Sequence, residues 1–204
     1  MPSVEQRGNL LKSKAVMRIA PTGEALPDET SVNHGAAWGG NWVKMGWTNA
    51  PLAFNYEYDT ADFELEQFLA PVKRQKTAHS ATFETTLAEV IAHNLARAIG
   101  GQDSDVTETA AGASQKGYEA LDIGNSPVLE EWVAGFEGTT YDSAGTAQPV
   151  RVFFPVCTIH INGELSFSQK DDDIVGIPVQ VMALADTANS GKLVTWHRVT
   201  APAT

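Results

Sequence analysis

Cys157 and His160 stand as C-x-x-H, a spacing at which a thiolate and an imidazole could share a zinc ion or act as nucleophile and base. A zinc site needs four ligands, and Cys157 is the only cysteine of the chain. In a strand, positions 157 and 160 also point to opposite faces, which favours a buried structural cysteine. His34, His79, His93, His160 and His197 are scattered, with no carboxylate at a fixed short spacing. No G-x-S-x-G, H-E-x-x-H or P-loop pattern is present. No catalytic, cofactor-binding or metal-ligating residue is therefore expected, and no enzymatic activity.

Three other groups invite a function. Asp171, Asp172 and Asp173 offer oxygens to a hard cation, but the segment lacks the glycine and glutamate positions of an EF-hand loop. It reads instead as a solvated acidic loop between two strands that discourages edge pairing. Lys73, Arg74 and Lys76 form one basic patch, too small for a nucleic-acid groove and better suited to a subunit contact with acidic neighbours. Trp38, Trp42 and Trp47 could make a sugar platform, although large aromatics are more often packed than exposed.

These groups belong to a chain of 204 residues with 43% hydrophobic and 19% charged residues, the composition of a folded protein. The length fits one domain with long loops, residues 1–204 throughout. The formal charge of −11 is uneven: −2 over residues 1–100 and −9 over residues 101–204. Such acidity disfavours tight nucleic-acid binding, which Lys and Arg drive by releasing counterions. No apolar run approaches the ~20 residues of a spanning helix, and the N-terminus does not read as a secretory signal. The lone cysteine agrees with a reducing compartment, so the cytoplasm is the expected place of synthesis, with no membrane insertion.

The elements that must position these residues are mainly β. KAVMRIA (14–20) reads as a strand, and residues 21–40 as a long polar loop. Phe54, Tyr56 and Tyr58 alternate with polar residues as in a half-buried strand, and Phe63 and Leu65 repeat the pattern after Asp59-Thr60-Ala61, which predicts a hairpin turning there. Residues 71–86 form a polar strand. Leu87, Val90, Ile91, Leu95 and Ile99 then fall at helical spacing, with Thr86 and Glu89 as a capping box and Gly100-Gly101 as the stop, so one helix is expected at about 87–99. Residues 101–117 read as a mobile loop. Strands follow near 127–138, 148–161, 164–169, 176–186 and 193–199, with Asn162-Gly163 predicting a type I′ turn. The fold class is mainly β, a sandwich or barrel with one packed helix.

The order of these elements resembles the major tail protein, or tail tube protein, of long-tailed bacteriophages and related phage-like elements. The residues that carry the resemblance are Gly46 and Thr48, the aromatic strand Phe54 to Tyr58, the acidic strand Asp62 to Gln67, Pro71-Val72, and the threonine-rich Thr82 to Thr86. They continue with Leu87, Glu89, Asn94, Leu95, Ala98 and Gly100 of the helix, and with the closing Ile177-Pro178-Val179 and Ala183 to Asp186. The likeness covers about 46–100 and 148–199. It implies a β-sandwich with a flanking helix, shared with the tube protein of type VI secretion. It also implies hexameric rings stacked into a hollow tail tube through which DNA passes without sticking.

The partners implied are further copies of the chain and the tape-measure, tail-terminator and distal tail proteins; the implied location is the virion tail. Lys73, Arg74, Lys76, Trp38, Trp42 and Asp171–Asp173 are then the candidates for subunit contacts or the lumen, Trp38 and Trp42 in a loop that orders against a neighbouring subunit. Trp47 is expected in the core. A capsid-decorating or glycan-binding virion protein and a small hydrolase remain as alternatives.

Overall fold

The computed structural model describes residues 12–68, 70–124, 128–141, 145–165 and 175–200. Among the described residues ten strands and one α-helix follow one another: β1 (Lys12–Pro21), β2 (Val43–Lys44), β3 (Ala53–Phe63), β4 (Lys73–Leu87), α1 (Ala92–Ala98), β5 (Val106–Thr109), β6 (Tyr118–Leu121), β7 (Trp132–Tyr141), β8 (Ala147–Ile161), β9 (Ile177–Ala183) and β10 (Thr195–Arg198). The main sheet runs β2-β1-β7-β8-β9-β4-β3, with β10 added against β8. All its pairings are antiparallel.

β8 is the spine. Its residues 147–157 pair with β7, while residues 157–161 pair with β9 and residues 150–153 with β10. The alternation of a strand sends Val152 and Phe154 into the core and Arg151 and Phe153 the other way; a register shift between Phe154 and Cys157 then resets it, so that Cys157 and Ile159 enter the same core. Phe83 of β4 lies 5.0 Å from Phe136 of β7 and 5.4 Å from Phe154 of β8, ring centre to ring centre. In the sheet order β9 and β8 separate β4 from β7, so the sheet rolls until its two halves face each other across the core. The result is a β-sandwich with one helix at its side. Each fully buried side chain of the size of Phe83 contributes about 1.5–3 kcal/mol.

The helix is shorter than its sequence pattern. Leu87 is buried but as the last residue of β4, paired with Ile177, and Thr86 pairs with Pro178. Glu89 does not cap the helix: its carboxylate accepts from Trp47 N–H at 3.1 Å, and Ile91 stands at the N-cap without a side-chain bond. Val90 and Ile91 are exposed. Strand pairing of Thr86 and Leu87 took the residues that the helical spacing claimed. The stop is as expected, with Gly100 at φ 81° and the bonds Gly101 N–H to Ala96 O (2.8 Å) and Gly100 N–H to Arg97 O (3.2 Å) closing the last turn.

Three further expectations change. Asp59-Thr60-Ala61 makes no turn, because β3 runs through it and pairs with β4 along its whole length, with Thr77 as an extra residue opposite the Asp59–Thr60 step. Residues 101–117 are not a plain loop: a short 3-10 turn at Asp103–Asp105 leads into β5, which pairs with β6 as a separate hairpin. Gly163 has φ 136°, but Asn162 does not share the positive φ that a type I′ turn requires. The strand expected over 164–169 lies largely outside the described residues, as do Asp171, Asp172 and Asp173. Among the described residues no helix is long and apolar enough to cross a membrane.

Candidate assembly surface

β9 reaches β4 only as far as Thr82. From Ala81 outward to Lys73, β4 pairs with β3 alone, giving a two-stranded arm of roughly 25–30 Å at ~3.3 Å per residue. On one face Phe54, at the root of this arm, and Tyr56 and Tyr58, on it, stand opposite Phe83, Ala81 and His79. Phe83 and Ala81 belong to the core, so the core-facing side of the sheet continues onto the arm and loses its cover there. Phe54, Tyr56 and Tyr58 are 43%, 41% and 55% exposed, so the strand lacks the one buried face that its alternation predicts. The alternation is correct for one apolar face; what it cannot supply is the layer that would bury that face.

The basic patch lies on the outer part of the same hairpin. Lys76 Nζ is 4.5 Å from the Tyr58 ring centre and 3.2 Å from the Tyr56 hydroxyl, so the cation sits over the aromatic face. Arg74 donates to both carboxylate oxygens of Asp62, from Nε at 2.5 Å and Nη2 at 2.7 Å. That hydrogen bond holds the Asp62 carboxyl below the usual carboxylate range. Both partners are at the surface, where such a pair adds little to stability. Lys73 pairs across from Phe63, and Leu65, Phe68 and Val72 expose further apolar surface where the strands connect. Aromatic base, basic tip and apolar connection together form a face with the composition of a protein interface.

Trp38 and Trp42 are not on such a face. Trp38 is 6% exposed, packed edge-on to Phe153 at 5.3 Å and Trp42 at 4.9 Å, with the Arg18 guanidinium 4.5 Å from its ring centre. Trp42 Nε1–H donates to Ala25 O at 2.9 Å. Beneath them Gly135 of β7 is the only residue type that fits, since a Cβ there would come within 2.7 Å of the Trp38 ring. The segment 21–42 is thus a strap ordered on its own subunit, not one awaiting a neighbour, and its tryptophans form no open sugar platform. Trp47, expected in the core, is 78% exposed. Its backbone is consumed by Ala88 N–H and Glu89, which leaves the indole outside the sheet.

A buried charged group that no sequence motif marks lies under the strap. Arg151, fully buried, donates to Glu137 Oε2 from Nε at 2.8 Å and to Val32 O and Asn33 O from Nη2, and it pairs with Glu29. Glu137 accepts from Gly35 N–H at 2.8 Å and lies 3.9 Å from Arg18 Nη1. Burial lowers the Arg18 pKa, against the opposing pull of Glu137. His197 meets Glu29 at 3.0 Å, and His34 meets Thr139 at 3.1 Å. One signal was available: Arg151 sits in the apolar run PVRVFFPV, where a charge must find a buried partner.

Cys157 and His160 are separated by the strand's alternation. Cys157 is fully buried, its Sγ donates to Trp132 O at 3.2 Å, and burial raises the thiol's pKa strongly. His160 shares a hydrogen bond with Thr158 at 2.8 Å. Among the described residues no three His, Cys, Asp or Glu side chains are grouped to hold a metal ion. No protein-family model matches this chain, and no curated protein is significantly similar to it.

Proposed function

We propose that this chain is a structural virion protein that assembles with copies of itself into rings, six to a ring, which stack into the hollow tail tube through which DNA passes. The observation that carries the reading is the β3–β4 arm: among the described residues, two strands bonded only to each other, with Tyr56 and Tyr58 exposed along it and Lys73, Arg74 and Lys76 at its outer end. An apolar face of this kind is costly in water unless another surface covers it. A repeated head-to-tail contact between identical subunits closes into a ring or continues as a filament. The basic tip fits an acidic partner, and a copy of this chain, at −11, is one. Tape-measure, tail-terminator and distal tail proteins would bound such a tube at its inside and its ends.

Negative-stain microscopy of the purified protein tests this directly. Six-fold rings or hollow tubes are the expected particles. Monomers that persist at high concentration, or trimers of the kind a capsid-decorating protein forms, would overturn the proposal.

A further inference from the structure

Asn162-Gly163 is used neither by the core nor by the arm. β8 ends at Ile161, and Asn162 N–H donates to Pro178 O at 3.0 Å, while Asn162 and Gly163 are both exposed. Among the described residues no hydrogen bond holds the Asn162 carboxamide or the Gly163 N–H. Gly163 has no side chain to shield its nitrogen, and its φ of 136° is one that other residues rarely adopt. Among the described residues, an exposed carboxamide without a hydrogen bond thus stands next to a glycine nitrogen that is also unbonded.

We propose that Asn162 is a site of spontaneous deamidation, a modification independent of the assembly reading. The Gly163 nitrogen attacks Asn162 Cγ, the new C–N bond closes a five-membered succinimide, and the side-chain nitrogen leaves as ammonia with the proton that Gly163 gives up. Water then opens the ring at either carbonyl, to aspartate or to isoaspartate. The net change consumes one water, releases one ammonia and involves no oxidant. It adds one negative charge to the formal −11. The isoaspartate product also routes the backbone through an extra methylene, immediately beside the Asn162–Pro178 bond.

Asn189, which precedes Ser190, supplies the contrast within the same molecule. Its Nδ2 donates to Asp186 Oδ2 at 2.7 Å and its backbone N–H to Asp186 Oδ1 at 3.2 Å, which ties the carboxamide down.

The full-length protein, incubated at neutral and at mildly alkaline pH, is digested and mapped by mass spectrometry, with isoaspartyl methyltransferase labelling of the products. Loss of the Asn162 amide ahead of Asn189, faster at the alkaline pH and yielding both aspartate and isoaspartate, is the expected result; Asn162→Gln removes the labelling at that position. The same incubation in urea measures the unfolded chain. If Asn162 stays intact in the folded protein over the time in which the unfolded chain converts, the turn holds the Gly163 nitrogen away from Cγ and the proposal fails.

Discussion

Arg151 shows what a single residue decides in this protein. Its guanidinium is out of water but meets two carboxylates and two carbonyls, and of these Glu29, Val32 O and Asn33 O are supplied only while the strap over residues 21–42 is in place. Removing one partner of such a pair strands the other. Arg151→Met should therefore lower the unfolding free energy by about 3–5 kcal/mol. Glu29→Gln, at a carboxylate with 21% of its side chain exposed, should cost clearly less. Urea denaturation midpoints measure both; equal losses would mean that the buried charge network does not hold the strap. Residues such as Cys157 were legible beforehand, because alternation alone separates it from His160. Trp47 was not, since its exposure depends on Ala88 and Glu89, forty residues away, occupying its backbone.

At the scale of elements, the β3–β4 arm carries the proposed function. Its basic residues make no contact that the fold requires: Lys76 leans on exposed tyrosines and Arg74 on an exposed aspartate. Reversing the charges with Lys73→Glu, Arg74→Glu and Lys76→Glu should leave a folded subunit, each change staying within roughly 0.5 kcal/mol as is usual for surface substitutions. Ring and tube formation should be impaired. Circular dichroism melting and negative-stain microscopy read the two effects separately, and normal tubes from the triple variant would remove the arm from the interface. The strand pattern of β3 and β4 was legible from alternation. Where β3 ends was not, because Asp59-Thr60-Ala61 resembles a turn until the fifteen residues of β4 are laid against it. For the helix, Leu87 satisfies a helical stripe and a strand equally, and pairing with Ile177 settled the choice.

The whole molecule is acidic, and this bears on DNA. A ring of six copies would hold about −66 formal charges, and with a Debye length of ~8 Å in physiological salt a lumen of that sign repels a phosphate backbone at close range. Filter-binding or fluorescence titration with duplex DNA should accordingly find only weak affinity at physiological salt; nanomolar binding would contradict a tube that lets DNA slide. Composition, charge, the β class, one helix and its Gly100 stop followed from the sequence by itself, because each depends on residues near one another in the chain or on their sum. The length of that helix, the burial of Trp38, the exposure of Trp47 and the uncovered face of the arm were decided by tertiary structure alone. Burial belongs to a side chain and whatever is folded over it, and among the described residues Phe54, Tyr56 and Tyr58 stay 43%, 41% and 55% exposed.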